Sequence, residues 1–452
     1  MVDVTILSGG PIARYSFRPP FLSFEGIGED LHKEFELPTR RQFSKCLVAA
    51  STTLLGSNNI WTATASSLQS GNEVVRTCDL LIKGGTVIDP SQNLHSSLDV
   101  AVKDGTILEI GADIPASRAR KVVSAKGKIV TPGLIDVHVH IYEGVGSLGV
   151  NADHFCLARG VTTAVDSASA GYATIAGLRK YVIETSATRL YASMDSGALG
   201  LITLTENLEW MNPQLAAEAA NRNKPAVVAI TARLSKNDAG TNDLEILKRA
   251  RTAAEASSLP MMVHAQGTYS PLSEILKIMR KGDVLTHCFH NRPYGLLDGN
   301  RRVLPEVREA RERGIYFSVG HGSRFSFDVA ETCIQQAFMA DAISSDIEAN
   351  SVAGPVFDLP TTLSKFLLLG LDLDKVVELA TVKPAHIFNF GQQLGTLRPG
   401  SVADIAVLML REGKFPLTDS NEQRTGRQML ISVATVRDGT LYVNRSDEFG
   451  GD

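Results

Sequence analysis

The sequence predicts an α/β protein: a (β/α)8 TIM barrel with a small β-sandwich domain built from both flanks of the barrel. Three observations predict it. Eight apolar strand-like runs alternate with helix-like stretches between residues 133 and 394, and strands that are not themselves half-polar belong in a parallel sheet buried on both faces. A span of about 250 residues is the size that such a barrel takes. Short strand–turn–strand patterns occupy 77–132 and 395–446, so one β module can bracket the barrel. A doubly wound open sheet is the competitor, but it carries a glycine-rich phosphate loop after its first strand, and none follows here.

Residues 1–66 read as an export leader behind a nondescript N-terminal stretch. Arg40 and Arg41, with Phe43 and Lys45, form a positive region, 46–56 is a short apolar run, and Ala63-Thr64-Ala65 is a small-residue exit. These are the three parts of an export signal, in an arrangement that resembles a twin-arginine signal. A bilayer span needs about 20 apolar residues, and this run is far shorter. If the leader is genuine the mature protein is exported, to the periplasm in a bacterium; otherwise it is cytoplasmic. Next comes the first β segment, 80–88, with Gly84-Gly85 as a turn or bulge signal. Segments 98–102 and 106–110, joined by Lys103-Asp104-Gly105, read as strand, turn, strand. Segment 128–131 leads into Pro132-Gly133. The eight barrel strands are expected at 134–142, 161–167, 189–195, 226–234, 260–266, 283–290, 315–322 and 342–348, with helices between them such as 243–257 and 304–313. A strand at 403–409 and a hairpin over 433–444 complete the β module.

Composition sets the broad class. The chain is 44% hydrophobic and 21% charged with a formal net charge of -4, ordinary values for a globular protein. A near-neutral balance without basic blocks argues against a nucleic-acid partner, and no segment after the leader is long and apolar enough for a membrane span. Cys46, Cys78, Cys156, Cys288 and Cys333 form no C-x-x-C pair, so they read as isolated buried thiols rather than a disulfide framework or zinc knuckle.

The chemistry is written at the strand ends. The first barrel strand ends in His138-Val139-His140, and side chains two apart on a strand share a face, so both imidazoles point into the barrel mouth. The fifth strand adds His264, the sixth His287 and the eighth Asp346. Barrel active sites form where the C-terminal ends of several strands converge. Imidazoles and a carboxylate brought together there are ligands for a divalent cation, Zn²⁺ above all.

Pro132-Gly133 followed by His138, His140, His264, His287 and Asp346 resembles the ligand order of the amidohydrolase superfamily. Stretches 160–163, 166–171, 282–289, 319–322, 326–331 and 354–365 are similar to its dihydroorotase-like deacetylase branch. The resemblance covers about residues 79–410. It implies a metal-dependent hydrolase for a small-molecule substrate, an acylated amide or ester, with a dihydroorotase-type cyclic amide as the alternative. A metal-activated water would attack the carbonyl. Asp346 would take the water's proton and pass it to the leaving group, with the metal or His287 steadying the oxyanion. His321 would contact substrate, and Arg233 and Arg324 would grip a substrate carboxylate. Related barrels are often dimers or larger, which leaves a homo-oligomer open.

Two departures from the branch stand out. Thr231 occupies the fourth-strand position where a carboxylated lysine usually bridges two metals, and Glu348 stands where histidine is usual. A hydroxyl cannot form a carbamate. The expectation is therefore one tightly held ion on His138, His140, His264 and Asp346, with His287 beside it. Two ions, the second on His264 and His287, are the alternative. A catalytically impaired barrel that kept its metal pocket is the rival from a different class.

Overall fold

The computed structural model describes residues 77–444; the leader and its arginine pair lie outside them. The chain opens with β1 (Cys78–Asp89), β2 (Leu94–Lys103), β3 (Thr106–Gly111), β4 (Ala119–Ser124) and β5 (Ile129–Pro132). It ends with β13 (Ile405–Thr418), β14 (Gln423–Arg437) and β15 (Thr440–Val443). These eight strands form one continuous mixed sheet, ordered β15-β14-β13-β5-β1-β2-β3 with β4 also paired to β1. Leu80, Ile82, Val100 and Val130 from the first end share an apolar cluster with Ile405, Val407 and Val436 from the last. The Gly84-Gly85 signal marks a bulge: the β1–β2 register shifts between Ile82 and Gly85, and Gly84 sits at φ +74°, a left-handed conformation suited to glycine.

Between these flanks run β6 (Leu134–Val139), β7 (Val161–Gly171), β8 (Arg189–Asp195), β9 (Val227–Arg233), β10 (Met261–His264), β11 (Val284–Thr286) and β12 (Tyr316–Phe317). They pair in consecutive order, all parallel. Every residue of β6 and β7 is buried, as a sheet covered on both faces requires. The eighth segment, 342–348, closes the barrel without a regular ladder. On one side Val319 and His321 donate their N–H groups to Ala342 and Ser344 at 3.0 and 3.1 Å. On the other, Asp346 donates to His138 O at 2.8 Å and His140 donates to Ile347 O at 3.0 Å. The regular parts of the fifth, sixth and seventh strands are shorter than their apolar runs suggest, because the residues after them leave the ladder to line the barrel mouth.

The outer helices follow their apolar spacing. Helix Asp243–Ser257 buries Ile246, Leu247, Ala250, Ala253 and Ala254, one stripe at helical period. Asp243 and Glu245 stand in its first turn, where carboxylates favour the helix dipole. Among the described residues, no helix is long and apolar enough to cross a membrane, and Cys78, Cys156, Cys288 and Cys333 are free, buried thiols.

Candidate metal centre and active site

The five expected ligands meet at the mouth. His138 and His140 stand at and just past the end of β6, His264 ends β10, His287 follows β11, and Asp346 belongs to the closing segment. The His138 ring lies 4.8 Å from those of His264 and His287 and 5.5 Å from that of His140. Their donor atoms form two groups, His138–His140–Asp346 and His138–His264–His287, each with all atoms within 4.8 Å. His138 belongs to both. The four-ligand set expected from the sequence is thus divided, with His264 grouped beside His287.

Each imidazole commits one nitrogen to the protein, which fixes the other towards the centre. His138 Nδ1 bonds Thr286 Oγ1 at 2.9 Å and His140 Nδ1 bonds Ser169 Oγ at 3.2 Å. His264 uses Nε2, 3.0 Å from Ser167 Oγ, and that hydroxyl donates in turn to Met262 Sδ. His287 Nδ1 lies 2.7 Å from Gly320 O. A carbonyl only accepts, so Nδ1 carries the His287 proton and Nε2 offers a lone pair. Neutral His287 can ligate a cation or accept from a water, but it cannot donate to an oxyanion. That corrects the oxyanion role expected for it.

The site's electrostatics suit a cation. Burial holds His138, His264 and His287 well below the usual histidine range, against the pull of the Asp346 carboxylate on His138, so they stand neutral, the form that binds metal. For Asp346, burial alone would raise its carboxyl, but His138 and His140 outweigh it and pull the group below its usual value. Burial likewise opposes charge on His140, and the Asp346 carboxylate, 2.9 Å away, overcomes it and raises its affinity for a proton. Positive charge is already drawn to this point. His138 Nε2 is buried without a hydrogen-bond partner, 3.2 Å from Asp346 Oδ1, which also has His140 Nε2 at 2.9 Å. An unpartnered imidazole nitrogen and a carboxylate oxygen crowded together in a buried site are costly unless a cation satisfies them, so these residues fit the metal that the sequence implies.

The backbone is strained to build this. His287 sits at φ +56° and Asp346 at φ +50°, left-handed conformations that cost of order 1–3 kcal/mol each. Gly320, at φ +49°, is packed so that a Cβ would lie 3.0 Å from both His138 Nδ1 and His287 Nδ1. Gly322, at φ +43°, would drive a Cβ into Asp346 Oδ2. Beneath the ligands, buried Asp136 takes the Ser345 hydroxyl, the Ser345 N–H at 3.0 Å and the His138 N–H at 3.3 Å. It thereby ties the closing segment to β6, and its burial pushes its carboxyl up to about 7. Asp166 receives the Ile141 and Ser169 N–H groups at 3.0 and 3.1 Å. The sequence carries a signal for Asp136, two residues before His138. It carries none for the hydroxyls of Ser167, Ser169 and Thr286, which reach the histidines from other strands.

Two expected substrate contacts are corrected. Arg233 is 4% exposed, and its donors go to Asp195 at 2.7 Å, Asp238 at 3.0 Å, Gly200 O at 3.0 Å and Thr203 O at 2.7 Å. It organises loops and has no fork left for a substrate. His321 is fully buried; Nδ1 donates to Gly322 O at 2.8 Å and Nε2 accepts from Lys365 Nζ at 2.7 Å. With both nitrogens taken, it positions Gly322 rather than touching substrate. Arg324 differs. Its guanidinium makes a long 3.5 Å contact to Ser323 Oγ, and among the described residues its buried Nε has no partner. It lines a cavity of about 280 Å³ with Lys236, Gln266, Thr268 and Arg292. A larger hollow, about 760 Å³, is lined by Lys224, Pro225, Pro260 and Gly282. These precede β9, β10 and β11, so it opens at the opposite end of the barrel from the histidines.

No bridging anion comes from β9. The Thr231 hydroxyl is buried, 2.6 Å from Ser193 Oγ and donating to Ser193 O at 3.1 Å. Arg233 is the β9 residue in register with His264. Lys224 Nζ bonds Ser257 O at the far end of the barrel, and Lys236 Nζ lies over the Tyr269 ring.

With this fold and ligand set in view, the chain belongs to the amidohydrolase family, whose pattern matches residues 129–431; it is a metal-dependent hydrolase that acts on carbon–nitrogen bonds. Among its relatives, a deacetylase of Enterococcus faecalis is 31% identical over 373 residues, covering 81% of this chain and 99% of the relative. A solved adenine deaminase superposes with a TM-score of 0.76 at 30% identity, over 81% of this chain and 100% of the other. A solved dihydroorotase gives 0.73 at 28%, over 80% and 99%.

Proposed function

We propose that the protein removes an acyl group from a small acidic substrate, using one tightly held Zn²⁺ ion. The observation that carries this reading is the buried donor cluster in which unpartnered His138 Nε2 lies 3.2 Å and His140 Nε2 2.9 Å from Asp346 Oδ1. His138, His140 and Asp346 would hold the ion, with the neutral rings of His264 and His287 beside it. A zinc ion there supplies an acidified water and polarises the scissile carbonyl. Asp346 is the base: Oδ2 faces His287 at 4.0 Å, and the carboxylate can accept the attacking water's proton and return it to the leaving group. His287 Nε2 accepts a hydrogen bond from that water and so orients it. Arg324 receives the substrate's acid group. Similarity to a deacetylase supports acyl transfer to water, and similarity to a dihydroorotase makes a cyclic amide the second reading.

The second triad, His138–His264–His287, is the observation that favours a second ion. Without a bridging anion from β9, an ion there is held weakly. Elemental analysis of purified protein after dialysis tests this. One equivalent of zinc is expected; two would establish a binuclear centre, and none would remove the basis of the proposal. In a metal-loaded Asp346→Asn protein, turnover should fall by roughly 10²–10⁴-fold, the usual contribution of a positioned acid–base group.

A further inference from the structure

The cavity of about 280 Å³ that Arg324 lines takes its walls from the loops after four consecutive barrel strands. Lys236 follows β9, Gln266 follows β10, Arg292 follows β11 and Arg324 follows β12. Contacts between the loops hold these walls together. The Lys236 N–H donates to Gly267 O at 3.0 Å. Ser235 forms an antiparallel bridge with Thr268, and His290 forms one with Phe325. Gly267, at φ +62°, is packed so that a Cβ there would stand 3.4 Å from the Arg292 Cβ. Gln266 is two residues past His264, so this wall lies within about 7 Å of chain from an expected metal ligand.

Three cations line this cavity, Lys236, Arg292 and Arg324, and among the described residues no carboxylate does. Nor, among those residues, does any of the three form an ion pair: Lys236 Nζ lies 5.8 Å over the Tyr269 ring, and Arg324 Nε is buried without a partner. Gln266, only 6% exposed, adds a buried Oε1 that has no partner. Its amide carries two donors as well as that acceptor, and a half-turn offers them to the cavity instead. A single carboxylate is satisfied by one guanidinium fork and would leave two positive charges facing each other. A doubly charged tetrahedral oxyanion meets both the charge and the number of donors. We propose that this cavity is a binding site for a compact dianionic oxyanion, a phosphate-type group, separate from the metal centre. The group is either the acid end of the substrate or a free ion; the first source deepens the acyl-hydrolase reading and rests on it, and the second does not.

Calorimetric titration of the holoenzyme with inorganic phosphate and with acetate tests the site, at one ionic strength and at about pH 8, where phosphate is mostly a dianion. Phosphate should bind at least about 10-fold more tightly than acetate, the worth of one added charged hydrogen bond. Arg292→Met and Lys236→Met should each weaken phosphate roughly 3- to 10-fold, a charged hydrogen bond discounted for the exposure of these side chains, with bound metal and circular dichroism unchanged. Phosphate seated on the metal would be indifferent to both variants. Equal affinity in parent and variants, or no preference over acetate, therefore overturns the proposal while leaving the hydrolase reading intact. N-acetyl-O-phosphoserine against N-acetylserine separates the two sources. A KM about 10-fold lower for the phosphorylated compound, with that advantage lost in Arg292→Met, makes the dianion the substrate's own. Equal KM values with phosphate binding retained make it a free ion, and either result upholds the site. Should neither compound be hydrolysed, only the acyl-hydrolase reading suffers, and the titration still decides on the cavity.

Discussion

Gly322 lacks a Cβ at the one place where Asp346 Oδ2 would meet it, and Gly320 lacks one where two ligand imidazoles converge. Both also sit at positive φ, so an alanine would be strained as well as crowded. Gly322→Ala should therefore displace the carboxylate and weaken metal binding by roughly 100-fold or more, at or beyond the upper end seen when a ligand's supporting partner is lost. Equilibrium dialysis with metal analysis measures this, and retention of the parent circular dichroism would separate it from unfolding. Wild-type affinity in Gly322→Ala would show that Asp346 does not hold the ion. At this scale the sequence pointed to the five residues that meet at the mouth, because strand ends and side-chain alternation are local properties. It did not disclose the fate of Arg233 and His321. Each looks available when written as a letter, and each is consumed by partners from distant segments.

Among the elements, helix Leu359–Leu368 is tied to the site by a single buried side chain. Lys365 is fully buried, donating to His321 Nε2 and, at 2.8 Å, to Pro355 O. Burial lowers its pKa from 10.5 to about 7, with Asp419 and Asp358 only partly compensating. The unfolded lysine keeps its proton up to about pH 10.5 while the folded one has lost it by about 7. Between those values the unfolded state binds more protons, so stability rises with pH; below about 7 both states are charged and the cost is constant. Replacing it in Lys365→Met should remove a slope of up to about 1.4 kcal/mol per pH unit across that window. Denaturant titrations of parent and variant at several pH values, compared as differences, give the slope; parallel curves would mean that the folded lysine stays charged. The apolar periods of 243–257 and 304–313 located their helices closely. The closing segment 342–348 was legible as an apolar run, but its bent path is set by bonds to β6 and to the residues after β12.

Across the whole molecule, Arg189 at the start of β8 joins the barrel to the flanking sheet. It pairs with Asp404, which is 4% exposed, and with Asp438 at 2.6 Å. Asp404 Oδ1 in turn accepts the Asp438 N–H at 3.0 Å. Arg189→Met would leave Asp404 buried and uncompensated, a loss on the order of 3–5 kcal/mol. Thermal unfolding should show a markedly lower Tm, and a double variant with Asp404→Leu should recover part of it. If the double variant is no more stable than the single one, the cost lies elsewhere. The leader is a proposal at this scale too. In a bacterial host, Arg40→Lys combined with Arg41→Lys should hold the protein in the cytoplasm, which fractionation and immunoblotting would reveal; unchanged export would count against a twin-arginine route.

The sequence alone determined the order of strands and helices and the β module drawn from both flanks, and it pointed to the histidines and aspartate that gather at the barrel mouth, because each lies at a strand end or within a strand pattern along the chain. Only the tertiary structure decided which ring nitrogen faces the centre, that Arg233 and His321 are spent while Arg324 remains open, and that Gln266 Oε1 and Glu348 Oε2 are buried without a partner among the described residues. Those outcomes depend on which hydrogen-bonding groups from remote segments arrive first at a buried atom. That competition is settled by distance and burial, and neither is written in local sequence.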